Sequence, residues 1–234
     1  MRITCRALGI VFIGSLLVCG QTVAAPKEDG DYLVLKNNSK RTISLPKELQ
    51  KEIDRERKEL RKLYAAERRR INLEMKKNGF AILQDSEIQN MVNPVRHASN
   101  LQANPDTSVL SFQPQQLPSF TDATYLGGIA DPEFPSLFSR VYEFEDWGFV
   151  IVEEYDFASD QRSGVYRTHK PKGDVAINGL PADYFAYMNE NLDEGLTRIK
   201  FLNSKRMFTV SVTKSVPIDS PEHERLVQLL GDMY

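Results

Sequence analysis

From residue 46 to residue 78, apolar side chains recur at the period of an α-helix. Leu49, Ile53, Leu60, Leu63, Tyr64, Ile71 and Met75 fall on one side, and charged residues fill the rest. Pro46 suits the first helical position, where its missing N–H costs nothing, and Glu48 in the first turn favours the helix dipole. Lys76 and Lys77 occupy the last turn, and Asn78-Gly79 is a stop signal. Glu52 with Arg55, Asp54 with Lys58, Glu59 with Lys62 and Glu67 with Arg70 are spaced to support each other along the helix. The pattern predicts a helix of about 32 residues, about 48 Å long.

Ahead of it, residues 32–35 and 41–44 read as strands around Lys36-Asn37-Asn38-Ser39-Lys40, a hairpin signature. This hairpin either pairs with a larger sheet or stands as a small N-terminal module. Periodicity is lost between residue 84 and about residue 121, where Asn, Gln, Ser and Pro dominate. A short helix over 86–92 interrupts that stretch. The rest reads as a linker or an ordered wrapping segment, and its length places a domain boundary there.

Alternation of period two returns in the C-terminal half. It predicts strands at 140–145, 148–156, 174–177, 182–189, 196–202 and 206–214. Asp146-Trp147-Gly148, Asn178-Gly179 and Asn203-Ser204-Lys205 supply turns. A helix over 221–233 follows, capped by Ser220, with Leu226, Val227, Leu229 and Leu230 as its apolar face. Gly127-Gly128 lacks the Lys and Ser/Thr of a phosphate loop and reads as a turn. The expected fold class is α+β: an antiparallel sheet with a C-terminal helix, preceded by a long charged helix. The alternative is that the long helix packs into the same single domain. The expected division is a signal peptide over 1–25, an extended segment over 26–45 and the helix over 46–78. A linker or wrapping segment follows over 79–117, then an α+β domain over 118–234.

The C-terminal part carries a resemblance. Ile177-Asn178-Gly179-Leu180-Pro181-Ala182, two alternating strands ending in Phe208-Thr209-Val210-Ser211-Val212-Thr213, and a closing helix resemble the PsbP-like α/β/α sandwich proteins. That family includes exported bacterial lipoproteins of no known catalytic activity. The resemblance covers residues 135–234, excludes the long helix and rests on element order, so no family residue roles carry over. It implies a layered sandwich and a non-enzymatic role.

Composition changes the picture most at the N-terminus. Arg2 and Arg6 precede an apolar run over residues 8–18, and Thr22-Val23-Ala24-Ala25 offers small residues for cleavage after Ala25 or Ala24. The run is short for a membrane span, which needs about 20 residues. Leu16-Leu17-Val18-Cys19 outlines a lipid-attachment site at Cys19, with Val18 where a small residue is usual. The expected location is the periplasm or the secreted fraction; the alternative is a lipid-anchored envelope protein. The chain has 2 cysteines, Cys5 and Cys19, and cleavage removes both. Disulfides, thiolate catalysis and cysteine metal ligands are then excluded. Net charge is -2, but 12 basic and 7 acidic residues over 47–77 precede 12 basic and 22 acidic residues over 78–234. A basic rod thus precedes an acidic body.

Candidate chemistry is sparse. His97, His169 and His223 lie far apart without a metal partner at helical or turn spacing, and read as solvated surface residues. Glu143, Glu145 and Asp146 form one acidic cluster, and Glu153, Glu154 and Asp156 another. Glu154 and Asp156 share a strand face, so they are the candidate pair for a hydrolase. Asp156 to Asp160 has too few oxygen ligands for calcium, and Ser163 and Ser204 lack a nucleophile turn. Arg68, Arg69, Arg70, Leu60 and Tyr64 form a candidate partner-contact face on the long helix. The expected function is an exported, non-enzymatic protein acting through contacts with other envelope proteins, as assembly factor, accessory subunit or inhibitor. No cofactor, metal or nucleic acid is expected. The alternatives are a hydrolase using Glu154 and Asp156, and a module that binds a small ligand or a lipid.

Overall fold

The structure is a computed structural model that describes residues 27–29, 32–36, 47–97, 105–117, 120–160, 165–169, 175–203 and 205–233. In chain order its elements are β1 (Lys27–Asp29), β2 (Tyr32–Lys36), α1 (Lys47–Asn78), β3 (Ala81–Leu83), α2 (Asp85–His97), β4 (Ala123–Ala130), β5 (Leu137–Phe144) and β6 (Gly148–Asp156). β7 (Val165–His169), β8 (Val175–Ile177), β9 (Leu180–Asn189), β10 (Gly195–Leu202), β11 (Arg206–Val212) and α3 (Pro221–Gly231) complete it. The fold class is α+β.

The main sheet has 8 strands in the order β3-β9-β10-β11-β6-β5-β4, with β8 also beside β9. Every pairing is antiparallel except β3 with β9, which is parallel. The expectation of a purely antiparallel sheet is corrected at that one pair. β3 is three residues long and directly follows α1, so its direction is set by the helix rather than by a hairpin. Asn178 and Gly179, at φ 47° and 79°, make the tight turn between β8 and β9.

One face of the sheet carries the main core. Tyr184, Ile199, Phe201, Phe208, Val210 and Val152 pack with Leu226 and Leu230 of α3. Ser220 caps α3 by accepting a hydrogen bond from the His223 amide at 3.1 Å. On the other face, Ile88 and Val92 of α2 pack on Leu196. Tyr155, Phe157 and Leu202 form a separate cluster.

β4 was hidden by its sequence, and β2 pairs otherwise than expected. β4 contains Gly127-Gly128, the pair that reads as a turn. A register shift between Tyr125 and Gly127 absorbs the extra residue, and Gly127 takes φ 140°. Gly128 lies so close to β5 that a Cβ there would stand 2.9 Å from the Phe138 ring. β2 begins the expected N-terminal hairpin, but its partners are β1 and β7 in a separate three-stranded sheet. The expected second strand, 41–44, lies outside the described residues.

The described parts of 79–117 lie against the body. β3 joins the main sheet, α2 covers one end of it, and the Ser111 amide donates to the Pro135 carbonyl at 2.8 Å. α1 divides in two. Ile71 and Met75 pack into the core, whereas residues 48–67 are exposed wherever described. The exposed stretch is about 30 Å long.

Candidate functional site

Glu154 and Asp156, the hydrolase candidates, are both engaged in ion pairs and hydrogen bonds. Glu154 is fully buried on the core face. Its carboxylate accepts from the Gln115 amide at 2.9 and 3.1 Å, from Arg140 at 3.1 Å and from Arg206. Arg206 also reaches Asp156 at 3.3 Å, and Asp156 accepts from the Ser159 amide at 2.9 Å. Both arginines bind the wrapping segment: Arg140 donates to the Gln115 carbonyl at 2.6 Å and Arg206 to the Gln113 carbonyl at 2.8 Å. Arg206 lies over the Phe112 ring. This is a buried ion-pair knot that fastens residues 112–115 onto the sheet, with every carboxylate oxygen of Glu154 already engaged. In the other acidic cluster, Glu143 and Glu145 are exposed and Asp146 pairs with Arg225 at 2.6 Å.

The five residues proposed as one helix face do not share a surface. Arg68 turns to the body and pairs with Asp183 at 3.1 Å. Arg70 is held by Glu67 at 2.6 Å and Glu74 at 2.8 Å, and donates to the Ile82 carbonyl at 3.0 Å, locking α1 to β3. Arg69 is exposed. Leu60 and Tyr64 remain 41% and 60% exposed, and Leu63 beside them 68%. The stripe that buries Ile71 and Met75 therefore continues uncovered along the projecting half. Glu52, Glu56 and Glu59, all exposed, run at spacings of four and three along one flank of it.

A third location emerges only in three dimensions. Cross-strand register aligns Asp183, Lys200, Thr209 and Glu153 in one row across β9, β10, β11 and β6, on the face away from α3. The row floors a groove of about 420 Å³ between the α2 end of the sheet and the Tyr155 cluster. Burial raises the pKa of the Glu153 carboxyl, and nearby Arg198 opposes that shift. Burial lowers the pKa of Lys200, with Asp183 opposing. Tyr187 is pushed up to about 12, chiefly by burial. Phe185 and Tyr187 stack at 6.1 Å with an interplanar angle of 17°. A larger hollow of about 710 Å³ lies between the docked end of α1 and β8–β9, but its Arg68 and Asp183 are paired with each other.

The signal for this groove was present in part. Alternation along β6 puts Glu153 opposite in sense to Glu154, but not which side is closed. His223 is corrected from a solvated residue to a half-buried one, edge-on to Tyr184 at 4.9 Å, with Nε2 buried and lacking a hydrogen-bond partner among the described residues. Burial lowers its pKa. Cys19, Ser163, Ser204 and the side chains of His97 and His169 lie outside what is described. Among the described residues, no group of three His, Cys, Asp or Glu is placed to hold a metal, and no helix is long and apolar enough to cross a membrane. No family model, curated protein or solved structure matches this chain.

Proposed function

We propose that this is an exported, non-enzymatic envelope protein that binds a helix of another protein along the projecting half of α1. The observation that carries the reading is the continuity of the stripe. The residues that seat the helix on the body, Ile71 and Met75, extend into Leu60, Leu63 and Tyr64, which nothing covers among the described residues. An amphipathic helix with an open apolar face is a docking element.

The same geometry favours a different protein over a second copy. In a two-fold antiparallel pair each flank meets itself, so Glu52, Glu56 and Glu59 would face their own copies. In a parallel pair the partner helix would run into the body, because the stripe side of α1 is also its body side. A partner helix with basic residues opposite the glutamate flank avoids both conflicts. The export part of the reading rests on Arg2, Arg6, the apolar run over 8–18 and Ala24-Ala25. For residues 135–234 we keep the PsbP-like kinship as a proposal. Its support is the packing of α3 on one face of the sheet.

A photo-crosslinking residue in place of Leu63 tests the reading in cells. The expected result is a discrete adduct with an envelope protein, lost in Leu60→Glu and absent when the crosslinker replaces Arg69. Adducts of equal yield from both positions, or a stable dimer of the purified chain abolished by Leu60→Glu, would overturn it.

A further inference from the structure

The main sheet treats its two edges differently. At the β3 edge, side chains of α1 stand in for a neighbouring strand. The Ile82 amide donates to Glu74 at 2.8 Å, and the Ile82 carbonyl accepts from Arg70 at 3.0 Å. At the other edge, β4 pairs with β5 on one side and, among the described residues, with nothing on the other. Open edges are normally guarded by a charge, a proline or a bulge. β4 has no charged residue and no proline over Ala123–Ala130. Its guard is the bulge between Tyr125 and Gly127. Beyond the bulge, Gly127 to Ala130 run in regular register with Val141 to Phe138. Gly127 and Gly128 hold no side chain in the way of an incoming strand, and Tyr125 and Ile129 stand 41% and 42% exposed.

Charge tells what kind of strand fits. Between residues 120 and 146 the chain has 6 acids and one base, Arg140. Arg140 is buried and engaged by Glu154. Arg225 of α3 pairs with Asp122 and Asp146. Asp131, Glu133 and Glu143 have no cation among the described residues. Asp131 and Glu133 follow the end of β4 directly, and Glu143 lies opposite Thr124 near its start. Both ends of the edge are therefore acidic. A second copy pairing antiparallel would set one acidic end against the other.

We propose that β4 accepts an extended segment of another protein as an added strand, one with an uncharged middle and a basic residue at each end. Main-chain hydrogen bonds to the open edge supply the affinity. The acidic ends of the edge select for the flanking lysines or arginines. This surface is separate from the projecting half of α1 and does not depend on it.

Hydrogen exchange of the purified chain, read by mass spectrometry, tests the proposal with a synthetic peptide, acetyl-Lys-Val-Thr-Val-Thr-Val-Lys-amide. In the free chain, amides of β4 should exchange faster than those of β5. Saturating peptide should slow exchange within residues 123–130. A peptide ending in Glu at both positions should bind about fivefold more weakly at low salt, the scale of two exposed charge pairs. Methylating alternate backbone nitrogens of the Lys-ended peptide should abolish its binding. Glu133→Lys, an exposed change, should narrow the preference for the Lys-ended peptide, with near-UV circular dichroism matching the parent. The proposal is overturned by β4 amides as protected as those of β5 in the free chain, by no saturable binding, by protection elsewhere than β4, by equal affinity for the two charged peptides, or by full binding of the methylated one.

Discussion

Glu153 and Glu154 are neighbours in sequence, and they live in opposite worlds. Glu154 points into the α3 face, is wholly buried, and is met by two arginines and a backbone amide. Glu153 points to the other face, into an open groove, where burial raises its pKa and the nearby Arg198 opposes the shift. The difference shows what makes a buried carboxylate structural. The count of donors that converge on it decides, not the depth alone. The satisfied group holds the fold together.

The widest separation of the two faces is expected from substitution of these neighbours. Glu154→Ala leaves buried Arg140 and partly buried Arg206 without their shared partner and should cost about 3–5 kcal/mol in urea unfolding. Glu153→Gln removes a desolvated charge and should leave stability unchanged or slightly raised at neutral pH. Similar losses for both would erase the distinction. The two halves of α1 give the next contrast. Met75→Ala should cost about 2–3 kcal/mol, whereas Leu63→Ala should change stability by less than about 0.5 kcal/mol. A large loss from Leu63→Ala would mean that the projecting half is already covered. Within the α3 layer, Ser220→Ala should cost about 1 kcal/mol by removing the cap, measured by thermal unfolding.

The smallest effect concerns His223. Its folded pKa is held below the ordinary 6.5 mainly by burial, with Asp219 and Glu224 opposing, and its ring meets Tyr184. A base with a depressed folded pKa binds its proton more readily when unfolded. Stability is therefore complete above about pH 6.5 and falls as pH drops through that value toward the folded pKa. Urea midpoints at about pH 7.5 and about pH 5.5 should differ less in His223→Gln than in the parent. An unchanged difference would place the titration elsewhere.

Much of the fold was legible because local signals agreed. The stripe and stop of α1, the Asn178-Gly179 turn, the alternation of β9 to β11 and the Ser220 cap each specify their element locally. β4 was hidden because a glycine pair has the same look in a turn and in a bulged strand. β3 was hidden because three residues show no period. The sites were less legible. Alternation separates Glu153 from Glu154, but which face is closed depends on the polar segment at 112–115, whose composition reads as a linker. Its order comes from arginines on β5 and β11, distant in sequence. The exposure of Leu60 and Tyr64 likewise depends on where the body ends.

The ladder of the main sheet also implies an order in time. β4, β5 and β6 form one meander and β8 to β11 another, and the two meet along the single seam of β6 with β11. Arg206 on β11 reaches across that seam to Glu154 and Asp156 on β6, so the ion pairs fix the register of the joint. β11 is the last strand to be made. Until it arrives, each meander ends in a bare edge, and a chain truncated before residue 206 should associate through those edges rather than fold.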